Sequence, residues 1–302
     1  MATASTRRAG FTLIELLVVI ALIATLAALS AGAFTQVRKT QMKRATDATL
    51  NKLHSALDNR MKAIGESVEA DKQNNQGQWK AALQAANDNP EVAKSLLLYA
   101  KVKNELPMTF AEAKTATTIT TAYGSFTLPA RANFSTLPNS ASPSPEESAA
   151  CFYVAVRTSA GGGAMTDGDG LEQQSSEFTG NGWIARVFKD SYGMPIAFVR
   201  QAYTAELNSP PYVRSGQPVR DPFDPGSKAG TFLSQNWNTL KRNVPAFANY
   251  PANYTPNTNF VPTLVSAGPD KNYTSATYDL FGGSNNDNQI SYRVRREGTS
   301  GD

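Results

Sequence analysis

Apolar positions follow three regimes along this chain. Residues 11–34 are almost wholly apolar, with Glu15 the only charge, and residues 16–37 carry no charge at all. As a helix, those 22 residues rise about 33 Å, enough to cross a hydrocarbon core of about 30 Å. Then Leu50, Leu53, Leu57, Met61, Ile64 and Val68 recur at spacings of 3, 4, 4, 3 and 4, one apolar stripe on a continuing helix. Together they predict a single helix from about Thr12 to about Asp71, half apolar all round and half amphipathic. From Trp183 onward, short β-prone runs are divided by Gly, Pro and Asn, the pattern of strands and turns.

Between these regimes the signals are local. Gln73 to Gln78 reads as a turn, followed by helices over Trp79–Ala86 and Pro90–Lys103, the second announced by Asn89 as cap and Pro90 at the first helical position. Residues 115–145, rich in Thr, Ser, Ala and Pro, read as an exposed excursion. Ser144-Pro145-Glu146-Glu147 starts a further helix that carries Ala149 to Val156 inward, and Gly161-Gly162-Gly163 ends it in a loop. Trp183–Phe188 and Pro195–Tyr203 are expected to pair as a hairpin, and the proline-rich residues 208–260 as loop. Thr263–Ser266 and Gln289–Arg295 are expected to complete the sheet, with Ile290, Tyr292 and Val294 on its buried face. Helices first and strands second point to an α+β fold.

Composition narrows the function. Of 29 basic residues, Arg7 and Arg8 precede the apolar run; without them 27 face 25 acidic residues, too even a balance for a nucleic-acid binder. Cys151 is the only cysteine, so no internal disulfide forms, and its apolar surroundings suit a buried, inert thiol. His54, the only histidine, follows Leu53 but falls away from the apolar stripe and is expected on the surface, and no phosphate-loop, zinc or dinucleotide pattern appears. Thr166-Asp167-Gly168-Asp169-Gly170 lacks the later ligands an EF-hand needs and reads as a turn.

The apolar run is not an ordinary secretory signal, because its small residue, Gly10, precedes the hydrophobic stretch instead of following it. A lone carboxylate near the end of a membrane span is costly and therefore functional by default. Gly10-Phe11-Thr12-Leu13-Ile14-Glu15-Leu16-Leu17 resembles the class III signal of type IV pilins and type II secretion pseudopilins. The resemblance implies a leader of residues 1–10 removed by a prepilin peptidase between Gly10 and Phe11, with methylation of the new Phe11 amine. It implies a role for Glu15 in assembly, neutralising the amine of a neighbouring subunit. It also implies a pilin-like fold: a transmembrane half over 11–34, and a head over 35–302 that includes the amphipathic helix to about 71. The expected location is the inner membrane, crossed once, with the head in the periplasm or outside. The expected partners are other pilin or pseudopilin subunits, the inner-membrane assembly platform and the membrane itself, with no nucleic acid. The function implied is a non-enzymatic filament subunit, for type II secretion; the alternative is an anchored adhesin-like or DNA- or surface-binding minor pilin, whose 208–260 region would expose aromatic and basic residues.

Two further segments are similar to major pseudopilins. Asp190-Ser191-Tyr192-Gly193-Met194-Pro195 resembles their D-x-W-G-x-P turn, and Leu264 to Asp270 their S-x-G-x-D loop. In that family the loop and a downstream aspartate hold calcium, which implies Ca²⁺ at Ser266, Asp270 and Asp287, hard oxygen donors of the kind calcium takes. Lys271 and Asn288 depart from the family pattern, and the competing reading is a metal-free, Asx-rich loop.

Overall fold

A computed structural model describes residues 12–75, 77–139, 144–157, 170–180, 182–204, 206–210, 212–241, 253–273 and 288–294. Helix α1 runs Leu13–Gln73 without interruption, and the chain divides into two units after Arg44. In the first unit the described residues are helical from Leu13 and exposed, Met42 alone being half-buried. Ile14, Leu17, Ile20, Leu26, Leu29 and Phe34 all stand open. The helix is long and apolar enough to cross a membrane.

The second unit is an α+β head. Its helical half begins with the expected stripe: Leu50, Leu53, Leu57, Ile64 and Val68 are buried and Met61 half-buried against the same core. Helix α2 (Gly77–Ala85) and helix α3 (Pro90–Glu105) follow. Asn89 caps α3 with its side-chain oxygen, accepting from the N–H groups of Glu91 and Val92 at 3.1 and 3.3 Å, and Pro90 takes the first helical position as expected. After the short helix α4 (Phe110–Ala113), strands β1 (Thr117–Thr121) and β2 (Gly124–Leu128) form an antiparallel hairpin. This corrects the exposed excursion expected for 115–145: Ile119, Phe126, Leu128, Phe134 and Leu137 are all core residues. The threonines that suggested a loop fill the outward positions of a two-residue period, Thr118 and Thr127 bonding across the strands at 3.0 Å. Helix α5 (Pro145–Arg157) starts where predicted and buries Ala149, Ala150, Cys151, Phe152, Ala155 and Val156. Burial pushes the Cys151 thiol well up, so it stays protonated and inert. Gly161 to Gly163 and Thr166 to Asp169 lie outside the described residues.

The predicted hairpin over 183–203 does not form, whereas 263–266 and the start of 289–295 do complete a sheet as expected. Strand β4 (Trp183–Phe188) pairs antiparallel with β3 (Ser175–Gly180), and β5 (Ala197–Ala202) pairs instead with β6 (Val261–Ser266). Between β4 and β5 there is one bridge, Lys189 to Pro195, flanked by bonds from Ile196 N–H to the Phe188 carbonyl and from Asp190 N–H to the Met194 carbonyl, both at 2.8 Å. Pro195 has no N–H to extend the ladder, and the two strands diverge into different sheets. Strand β7 (Gln289–Ile290) joins β6, but 291–294 turn into helix rather than continuing the predicted strand to 295. Where the next ladder bond would fall, the Leu264 N–H donates to the Ser291 hydroxyl at 3.0 Å, so a side chain takes the backbone's place. Nor is 208–260 all loop. Helix α6 (Gly230–Leu240) buries Leu233, Trp237 and Leu240.

Two buried polar groups organise this half. Arg200, in the middle of β5, is 1% exposed and pairs in a fork with Glu112 on α4, both N–O distances 3.0 Å. The guanidinium also reaches the carbonyls of Leu106 and Leu240 at 3.1 Å each, tying the end of α3 and the end of α6 to the sheet. Asp221 is fully buried and accepts from the hydroxyls of Tyr99 and Tyr254 and from Phe223 N–H. Three donors offset the desolvation that pushes its carboxyl upward.

Candidate functional site

The processing and assembly segment begins at the start of α1. Gly10 and Phe11, the residues flanking the expected cut, lie outside the described residues; Thr12 and Glu15 are described. The Thr12 N–H and hydroxyl both donate to Glu15 Oε2 at 2.8 Å, and the Glu15 N–H donates back to the Thr12 hydroxyl at 3.3 Å. This is a reciprocal cap of the form Thr-x-x-Glu, satisfying donors that a helix start leaves without intrahelical partners. Sequence reasoning assigned Glu15 to intersubunit contact and overlooked this local role, although the four-residue spelling was visible. Further along, Thr25, Ser30 and Thr35 bond their hydroxyls to backbone carbonyls three or four residues earlier, so these three donors are satisfied within the helix.

The two loops that resemble pseudopilin segments meet in the head. Asp190 Oδ1 accepts from the N–H groups of Tyr192 and Met194 at 3.0 and 2.8 Å, holding the turn, and Gly193 supplies its φ of +86°. Asp190 Oδ2 accepts the Ser266 hydroxyl at 2.6 Å. Ser191 N–H donates to Thr46 on α1 at 3.2 Å, so the turn also anchors the helix. Burial pushes the Asp190 carboxyl up, against the hydrogen bonds from Ser266, Met194 and Tyr192.

The calcium candidates are therefore divided. Ser266 is fully buried, donates to Asp190 and accepts from Gly268 N–H at 3.2 Å. Asp270 is exposed and closes an Asx turn by accepting from Asn272 N–H at 2.8 Å, with Lys271 beside it at φ +59°. Asp287 lies outside the described residues. The Ser266 oxygen is committed to the Asp190 link and does not fit a metal ligand here. Among the described residues no three His, Cys, Asp or Glu side chains converge on a metal-sized site.

His54 is not on the surface as expected. It is 5% exposed, and its Nδ1 lies 2.8 Å from the Ser291 hydroxyl, with Nε2 3.6 Å from Asp58. The buried arc of α1 is wide enough to take the residue beside Leu53. A serine, a histidine and an aspartate in sequence contact suggest a hydrolytic triad, but the geometry is that of a clamp. Ser291 is fully buried, its oxygen engaged by Leu264 N–H and Thr263 at 3.0 Å each, and the His54–Asp58 separation is beyond a hydrogen bond.

The family of the prokaryotic N-terminal methylation motif matches residues 5–31. No curated protein and no solved structure matches the chain. On a helix long and apolar enough to span a membrane, the chain carries the N-terminal methylation motif characteristic of type IV pilins and pseudopilins.

Proposed function

We propose that this chain is a structural subunit of a pilus or pseudopilus, cut by a prepilin peptidase between Gly10 and Phe11 and assembled through the apolar half of α1. The observation that carries the reading is the methylation motif over residues 5–31 leading into a helix whose apolar side chains, from Leu13 to Phe34, stand exposed. In the membrane, lipid covers that surface; in a filament, the equivalent helices of neighbours do. The inner membrane, a single crossing and a head on its outer side follow from the same reading. A place in type II secretion is supported by the two head segments that resemble major pseudopilins, which meet through Asp190 and Ser266. The adhesin-like alternative is supported only in part. In the described part of 208–260, Arg214, Arg220 and Lys228 are exposed, but Phe223, Trp237, Tyr254 and Phe260 are buried, and Tyr212 and Phe232 are packed against the core.

The processing step is tested on protein purified from membranes of cells that express a prepilin peptidase. Mass spectrometry should find a mature N-terminus at Phe11, one methyl heavier than the free amine. An intact Met1 end, or a cut beyond the apolar run at Ala31 or Ala33, would overturn the assignment.

Calcium remains part of the proposal at Asp270 and Asp287, with Ser266 left to Asp190. Millimolar calcium should raise the melting temperature of the detergent-solubilised protein by several degrees over chelator, because an ion bound only to the folded state stabilises it by mass action. Asp270→Ala should remove that difference. Identical melting curves with calcium and chelator would leave the loop held by its Asx turn alone.

A further inference from the structure

We propose that the head holds a small oxyanion of the phosphate class in a cavity between α1, α3, the start of α2 and the end of β2. The cavity is about 270 Å³ and is lined by Arg60, Lys101, Arg131, Glu105, Ser67 and Gln78, among others. Its charges do not balance. Arg60 and Arg131 both pair with the one carboxylate of Glu105, Arg131 at 2.6 Å, while Lys101 pairs with Asp71 at 2.5 Å. One positive charge is left over in a partly closed wall.

Arg60 is the second observation. Its side chain is 4% exposed, yet its Nε has no hydrogen-bond partner among the described residues. A buried guanidinium nitrogen without an acceptor is costly unless something supplies one. Burial lowers the Arg60 pKa, Glu105 raises it, and Arg131 lowers it again, so a second anion would relieve the strain between the two guanidiniums. Gln78 lies in the first turn of α2, where backbone N–H groups have no acceptors within the helix and the dipole favours a negative charge. Gly77 leaves that approach open, with no atom within 4 Å of where a Cβ would stand. Two planar guanidiniums and a helix start make a donor set suited to tetrahedral oxygens, while the Ser67 hydroxyl is already given to the Ile64 carbonyl at 2.8 Å. None of this depends on the filament reading.

The test uses the full-length protein in detergent, with inorganic phosphate as probe against chloride at matched ionic strength and pH 7.5. Phosphate should raise the melting temperature by several degrees and bind with a millimolar Kd by calorimetry. Arg131→Gln, at the half-open rim, should weaken binding at least tenfold, and so should Gln78→Glu, which puts a carboxylate at the mouth. Lys62→Gln, on another face of α1, should change nothing. Glycerol phosphate separates the two sources of the ligand: an equal shift assigns a phosphate ester, no shift a free ion. Equal melting in phosphate and chloride, or phosphate binding retained in both Arg131→Gln and Gln78→Glu, would overturn the proposal.

Discussion

Replacing Arg200 by alanine should cost the head about 3–5 kcal/mol, the loss typical when one partner of a buried ion pair is removed. Glu112, 2% exposed at its side chain, would then keep a charge with no guanidinium beside it, and the Leu106 and Leu240 carbonyls would lose donors. Against a total stability of about 5–15 kcal/mol, that brings the head close to unfolding. The paired replacement Arg200→Met with Glu112→Leu should recover most of the loss, since neither charge is then stranded. Denaturant titration of the solubilised protein followed by near-ultraviolet circular dichroism measures both. An alanine variant within about 1 kcal/mol of the wild type would mean the pair is solvated or idle. The pair also sets a pH dependence. Burial alone would raise the Glu112 carboxyl, but Arg200 overrides it and holds the folded value below 4.5. A depressed folded value means stability present above the ordinary glutamate range and lost as the pH falls through the folded value. The wild type should therefore weaken in acid more steeply than the Met/Leu variant.

Glu15→Ala should leave membrane insertion intact and cut filament yield by about tenfold or more, a factor that about 1.4 kcal/mol of lost subunit affinity already produces. Insertion becomes easier when a charge leaves the span. Assembly should suffer because the amine of a neighbouring Phe11 would enter a low-dielectric bundle without its carboxylate. The Thr12 cap supplies an internal control: Thr12→Val removes the hydroxyl donor but keeps the backbone N–H to Glu15. If both variants lose filaments equally, capping rather than intersubunit charge explains Glu15. If Glu15→Ala assembles normally, the carboxylate has no role in assembly. Sheared-filament yield against total membrane protein is the readout.

The sequence was most informative where one periodicity acted alone. The stripe from Leu50 to Val68, the Asn89-Pro90 start of α3 and the Ser144-Pro145 start of α5 are local signals, and the elements lie within a few residues of their expected bounds. It was least informative where a long-range partner decides. Arg200 looks like a solvated strand residue until Glu112, 88 positions away, enters its surroundings. Ser291 reads as the outward position of a strand until His54 and Leu264 claim its hydroxyl. Helix α6 begins at Gly230, and Ala229 before it offers no side-chain cap, so nothing in its spelling announces it. Of the functional segment, the motif was legible in full because it is a linear signal read by another protein. The cavity at Arg60 was not, because its lining comes from helices and a strand spread over some seventy positions.

The bond between His54 and Ser291 joins residues 237 positions apart. At about 5–20 residues per second, synthesis takes roughly 10–50 s to pass from one to the other. Throughout that interval the His54 part of α1 has yet to meet the hydroxyl that closes over it. Pairing of this sequence separation is slow to form even once the whole chain is present. Until Ser291 emerges, a nascent chain of this kind is half-folded around His54 and attractive to holdases and proteases.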